Sequence, residues 1–233
     1  MRAPISLSFR STKRMKSSLF LSVTVLAAAL FMITAMAVRA EEGGKTAAGF
    51  VPLFDGKSLN GWKKSEENPG SLKVEDGMIV VDGPRAHLFY VGDLAPFKNF
   101  HFITEVKTTS GSNSGLYFHT RYQAEGWPKY GHECQVNVTH TDPKRTSSLY
   151  GVVNIPDPPV KDNEWYTQEI VVEGHRVRLI LNGQTMVDYT EPADKPAESE
   201  QFERRLGEGT FAIQAHDPDS KVYFRNMRVK KLD

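Results

Sequence analysis

Three short stretches of this chain carry side chains able to grip a polyhydroxylated ligand. In Ser114–Tyr122, alternation puts Tyr117, His119 and Arg121 on one side and Leu116, Phe118 and Thr120 on the other. In Gly131–Val138, Glu133, Gln135 and Asn137 oppose His132, Cys134, Val136 and Val138. In Phe211–His216, Gln214 and His216 alternate with Phe211, Ile213 and Ala215. An ordinary solvated strand face is dominated by Lys, Glu, Ser and Thr. Amide, imidazole, guanidinium and carboxylate groups instead form directional, planar hydrogen bonds, and these suit sugar hydroxyls. The same pattern on three strands predicts a polar groove rather than an outer surface.

The elements that must position these groups read as strands. From Phe50 onward no long stretch has a 3.6-residue period. Runs rich in β-branched and aromatic residues predict strands at 72–75, 77–81, 86–91, 99–108, 114–122, 132–139, 148–153, 165–173, 175–182, 184–189, 208–215 and 221–231. Glu75-Asp76-Gly77, Glu173-Gly174-His175 and Leu181-Asn182-Gly183 are hairpin turns, where Gly and Asn tolerate positive φ. Many strands without crossover helices mean an all-β antiparallel sandwich or jelly roll. Residues 123–130, 154–163 and 191–206 are long loops that can shape a site, the last with one helical turn near Glu198–Leu206.

Composition narrows the function. The chain has 233 residues, 39% hydrophobic and 10% aromatic, enough for a packed core. Six of its 29 basic residues (Arg2, Arg10, Lys13, Arg14, Lys16 and Arg39) and none of its 28 acidic ones lie in residues 1–40, so residues 41–233 carry about −5. Such a body is a poor nucleic-acid ligand. Lys13, Arg14 and Lys16 precede an apolar run, Leu19–Val38, and Val38-Arg39-Ala40 suits signal-peptidase cleavage. Residues 1–40 are therefore read as a signal peptide, or as an N-terminal anchor if uncleaved, the only route to a membrane. Residues 41–49 read as a linker, residues 50–233 as one domain, and the destination as periplasmic or extracellular. The single cysteine, Cys134, falls on an apolar face and is expected to be an inert core thiol.

The motifs FVPLFDGKSLNGW (50–62), NSGLYF (113–118), GHECQV (131–136), SSLYG (147–151), EWYTQEIVVEGHRVRLILNG (164–183) and GTFAIQAHDPDSKVYFRNMRVKKL (209–232) follow one another in this order. Together they resemble the 3-keto-disaccharide hydrolase domain family, also called 3-keto-glycoside hydrolase/lyase, over about residues 50–232. The resemblance implies a concanavalin-A-like jelly-roll sandwich of two antiparallel sheets. It also implies an exported hydrolase or lyase whose substrates are small or oligomeric glycosides oxidised to a ketone at C3. The motif G-x-E-x-Q is intact as Gly131, Glu133 and Gln135, whereas His119 stands where the family often has Arg.

A C3 ketone acidifies the C2 hydrogen, so one base, one oxyanion stabiliser and one acid suffice for cleavage. On this reading Glu133 or His119 takes the C2 proton, and Arg121 or a divalent metal stabilises the oxyanion. His216 or Tyr150 protonates the leaving oxygen. Gln135, Asn137 and Gln214 hold hydroxyls, and Trp127 or Tyr130 stacks on a sugar face. Arg225 is expected to be structural, Asp55 a turn former and Trp62 a core residue. His119, Glu133 and His216 also form a candidate set for a possible divalent metal ion, without HxH or HExxH spacing to support it. Two other functions fit the same sandwich. One is a non-catalytic, lectin-like carbohydrate-binding module. The other is a conventional glycosidase, which needs a second carboxylate, with Asp55 or Asp217 as candidates.

Overall fold

The computed structural model describes residues 49–233. The signal-peptide expectation for 1–40, and all of the 41–49 linker except Gly49, lie outside the described residues. Thirteen strands follow in order: β1 (Val51–Pro52), β2 (Trp62–Lys64), β3 (Leu72–Glu75), β4 (Met78–Asp82), β5 (Ala86–Tyr90), β6 (Phe100–Thr108), β7 (Asn113–Thr120), β8 (His132–Asn137), β9 (Tyr166–Glu173), β10 (Arg176–Leu181), β11 (Gln184–Thr190), β12 (Thr210–Ala215) and β13 (Lys221–Lys231). A 3-10 turn at Pro69–Ser71 precedes β3.

The strands form two sheets. The larger runs β11-β10-β9-β6-β13-β4-β3, with β1 paired to β13 (Val51 opposite Val229). The smaller runs β2-β5-β12-β7-β8. All named pairs are antiparallel, so the fold is the expected two-sheet jelly-roll sandwich. Hairpins β3–β4 and β10–β11 turn through Asp76-Gly77 and Asn182-Gly183, all four residues at positive φ. Such turns match the right-handed strand twist.

The facing sides of the sheets bury one apolar core. Phe97, Phe100, Phe102 and Phe211 lie at its centre, with ring centroids 4.6–4.9 Å apart between Phe211 and the other three. Trp62 is a core residue, its indole donating to Leu53 O at 2.7 Å. Cys134 is fully buried, accepts from Gln168 Nε2 at 3.0 Å, and has its thiol pKa pushed up by burial.

Several sequence expectations are corrected. Residues 51–52 and 62–64 are strands that were not foreseen, because both are too short to show alternation. Residues 148–153 are turns with isolated bridges (Cys134 to Leu149, Leu149 to Val153), not a strand. Residues 198–206 contain no helical turn. They run as an irregular strap, tied by Glu198 N to Glu203 O and Ser199 N to Phe202 O.

Candidate active site

The outer face of the smaller sheet holds a cleft of about 290 Å³. Its floor is made by Asn113 and Tyr117 of β7, Glu133 and Gln135 of β8, and Gln214 of β12, with His216 just beyond β12. Strand alternation puts each on this face, as expected for all but Asn113. The walls come from loops: Trp127–Lys129 on one side, Asp142 and Tyr150 after β8, and Phe202 and Arg204 of the strap.

Glu133 is the centre of the floor. Tyr117 is its cross-strand partner. Gln214 Nε2 donates to Glu133 Oε1 at 3.3 Å and to Tyr117 Oη at 3.0 Å. Burial raises the Glu133 pKa to about 7, against the opposing pull of Tyr117 and of the Arg204 charge. A carboxyl poised near neutrality can give or take a proton at physiological pH. Burial also pushes the Tyr117 phenol well up, with the Glu133 charge adding to it.

Asp142 differs in kind. Burial pushes its pKa up, but the Lys144 amide (2.9 Å to Oδ1) and the Tyr150 hydroxyl (2.9 Å to Oδ2) outweigh it and keep the group ionised. Tyr150 is thus bound to a carboxylate, and burial together with that partner drives its own pKa up. Its backbone N–H donates to Glu133 O at 3.0 Å.

Trp127 is a braced ring. Arg85 lies 5.0 Å above it, and the rings of His87 and His216 are 5.6 and 5.3 Å away. Its loop is tied down where Glu67, held by Arg85, accepts from Gly126 N at 2.9 Å. His216 Nδ1 bonds Asp217 Oδ2 at 2.7 Å.

The structure brings Glu133, Gln135, Tyr150, Gln214, Trp127 and His216 into one cleft and leaves out three residues expected there. His119 is the clearest correction. Between Thr210 and Ala212 of β12, β7 advances three residues, from Thr120 to Tyr117, so β7 bulges. His119 sits in that bulge at φ 55, which reverses the alternation. Its side chain is buried against Phe100. Nε2 bonds Lys98 O at 2.9 Å, and Nδ1 accepts from Gly207 N at 3.1 Å. Burial lowers its pKa to about 4. Arg121, beyond the bulge, is exposed and stacks 4.4 Å over Tyr130, so neither lines the cleft. Asn137 faces the expected way but is fully buried, donating to Asp142 O (2.9 Å) and Lys144 O (3.0 Å). It shapes the loop that carries Asp142.

The candidate metal set also changes, because His119 points elsewhere. Among the described residues, His140, His216 and Asp217 place one ligand atom each within 4.8 Å of one another, at the cleft's His216 end. Two imidazoles and a carboxylate suit a divalent transition metal. Of the expected second carboxylates, Asp55 caps the turn at Lys57 and Ser58 (2.7 Å to each N–H), and Asp217 is tied to His216. Arg225 is paired to Glu105 at 2.7 Å and stacked 3.9 Å over Trp165.

Tyr117, Asn113, Asp142, Phe202 and Arg204 line the cleft without having been singled out. Tyr117 shared the polar face and Asn113 opens the NSG motif, so both carried a signal. The other three come from loops whose paths depend on distant contacts.

A two-sheet antiparallel jelly roll with a polar cleft on its smaller sheet is a concanavalin-A-like sandwich. The fold is shared with the carbohydrate-binding module CBM66 of Bacillus subtilis (TM-score 0.52, 14% identity, covering 73% of this chain and 96% of that one). Closer in form is the crystal structure of a candidate glycosyl hydrolase from Parabacteroides distasonis (TM-score 0.66, 24% identity, covering 80% of this chain and 95% of that one). Residues 49–230 match the 3-keto-alpha-glucoside-1,2-lyase-like domain, and the chain belongs to that family. A 3-keto-disaccharide hydrolase of Bacteroides thetaiotaomicron is 27% identical, with 80% of each chain covered.

Proposed function

We propose that this protein cleaves glycosides bearing a ketone at C3, with Glu133 as the base at C2. By family it is a glycoside-acting hydrolase of the 3-keto-disaccharide hydrolase type. The observation that carries the finer reading is the Glu133 carboxyl, held on the cleft floor with a pKa near 7.

Ionised Glu133 takes the C2 proton. The C2–H electrons form the C2–C3 double bond, and charge moves to O3. The Gln214 amide is engaged by Tyr117 and Glu133, whereas the Arg204 guanidinium lines the cleft with several N–H groups. Arg204 is the group assigned to the oxyanion, in place of Arg121. The enediolate then expels the C1 oxygen, which receives a proton as the bond breaks. His216 is assigned this transfer, because the Tyr150 hydroxyl proton is engaged by Asp142. Addition of water across C1–C2 completes net hydrolysis. Gln135 is assigned to a substrate hydroxyl and Trp127 to a sugar face.

One observation favours a second reading. Glu133 and Asp142 line the same cleft with their pKa values driven apart, the arrangement of an acid and base pair in a conventional glycosidase. Incubating the full-length protein with matched native and 3-oxidised glucosides of both anomers, with and without a chelator, separates the two. Cleavage of the oxidised member alone, slowed by deuterium at C2, is expected. Cleavage of the native member moves the assignment to the two-carboxylate glycosidase. Binding of both without turnover leaves a carbohydrate-binding module. Export is inferred from residues 1–40, and a mature chain beginning at Glu41 is the expected result of N-terminal sequencing.

A further inference from the structure

His216, assigned above to protonate the leaving oxygen, is followed in sequence by a carboxylate that the proposed reaction leaves without a task. His216 Nδ1 lies 2.7 Å from Asp217 Oδ2. Asp217 is itself fixed. Asp219 N donates to its Oδ1 at 3.0 Å, and the Ser220 hydroxyl donates to its Oδ2 at 2.7 Å. Buried Ser220 accepts in turn from Asn113 N at 2.8 Å, which ties the turn to the start of β7. Burial pushes the Asp217 pKa up, but the Ser220, His216 and Asp219 donors outweigh it and keep the group ionised.

An ionised carboxylate only accepts, so the proton between the two groups belongs to His216 Nδ1. Nε2 is then the nitrogen left for a ligand in the cleft, which His216 lines. The rings of Trp127 and His140 each lie 5.3 Å from the His216 ring, at 39° and 68°. His140 is protonated to match. Its Nδ1 accepts from Asp142 N at 3.1 Å, so its proton is on Nε2, which faces Asp217 Oδ2 at 3.7 Å. Both imidazoles thus present an N–H to one oxygen. A nitrogen that carries a proton has no lone pair for a metal. The trio is therefore arranged as donors around a carboxylate rather than as ligands around an ion.

We propose that Asp217 is a positioning residue: by holding His216 Nδ1–H it aims Nε2 at the leaving oxygen, and it stabilises the ring while Nε2 carries the proton to be transferred. Its consequence for catalysis rests on the reaction proposed above. Its consequence for the His216 tautomer does not.

The test uses the full-length protein with ¹⁵N-labelled histidine, the His216 ring being identified by its loss in His216→Phe. With the ring neutral, His216 of the unaltered protein is expected to carry its proton on Nδ1. In Asp217→Asn the Asp219 amide keeps the oxygen end of the new side chain, so its NH₂ group faces Nδ1 and the His216 proton is expected to move to Nε2. A proton on Nε2 of the unaltered protein, or no change in the variant, overturns the proposal. Should the variant not fold, the tautomer of the unaltered protein alone decides. Selective broadening of the His140 and His216 signals by added Mn²⁺ would make the trio a metal centre and overturn it too. On 3-oxidised glucosides, Asp217→Asn should lower kcat about a hundredfold when the leaving group is a second sugar. The loss should be no more than about threefold when it is nitrophenolate, which leaves without a proton. Equal losses on the two overturn the proposal. A protein inert toward both refutes the reaction while leaving the tautomer result to stand or fall alone.

Discussion

Gly115 lies beneath Glu133: a Cβ built on Gly115 would take the space of the Glu133 Oε1 atom and press on its Cδ (2.8 Å) and Cγ (3.0 Å). The missing side chain at 115, opposite Gln135 in the β7–β8 register, is what lets the carboxylate lie flat on the sheet. Gly115→Ala should therefore displace Glu133 rather than strain the backbone. Expected results are a stability loss of about 1–2 kcal/mol in urea titration and at least about a tenfold fall in kcat/KM on 3-oxidised glucosides.

Glu133→Gln should lower kcat by about a hundredfold or more, the usual weight of a general base. It should also change stability in a pH-dependent way. The Glu133 pKa is raised from 4.5 to about 7 in the fold, so the folded protein holds this proton more tightly than the unfolded chain. Its contribution is fully present below about pH 4.5 and is lost as pH rises through about 7. The neutral Gln escapes that loss. Above pH 7 the variant should gain on the order of 3 kcal/mol relative to its standing below pH 4.5, read by denaturant melts at the two ends.

The pH–rate profile carries the same group. A base must be ionised, so kcat/KM should rise with pH and level off above about 7, the value to which burial brings Glu133. A profile that instead falls through that point would assign Glu133 the role of acid and favour the pairing with Asp142.

His119→Ala should separate stability from catalysis. The residue ties Lys98 O and Gly207 N together and packs on Phe100, outside the cleft. Removing it should cost about 2–3 kcal/mol of stability and leave kcat within about threefold at temperatures where the variant is folded. A collapse of kcat in well-folded protein would return His119 to the site.

The cleft wall offers a further test. Gly151 is at φ 75, and a Cβ there would strike the Arg204 guanidinium. Gly151→Ala should mimic Arg204→Ala, each lowering kcat at least about tenfold with little added in the double variant, as steady-state kinetics would record.

How much of this was legible in the sequence depends on the distance over which each position is decided. Strand alternation, a local property, places Glu133, Gln135, Gln214 and His216 without knowledge of any partner. His119 fails because its conformation is imposed from outside. A Cβ built on Gly131 or Gly209 would come within 2.7 or 2.6 Å of the His119 carbonyl carbon, so only glycine at both positions leaves room for this backbone. Nothing in the period of Ser114–Tyr122 encodes that. Arg204 and Asp142 are hidden for a similar reason. The strap bearing Arg204 is fixed by Glu191, buried against His132 at 2.8 Å and accepting from Leu206 N at 2.7 Å. The loop bearing Asp142 is fixed by Asn137. Those contacts join residues whose pairing no run of the sequence announces.

Strand β8, which bears Glu133, is the last strand of its sheet, and the segment after it folds back to bond that open flank: Gln135 N to Ser148 O, Ser147 N to Gln135 O, Tyr150 N to Glu133 O. The same bonds deliver Tyr150 to the cleft and deny the flank to any foreign strand. Loosening residues 146–150 would thus disable the protein and make it adhesive to its own copies in a single event, so inactive variants in this segment should be recovered as aggregates and not as dormant monomers.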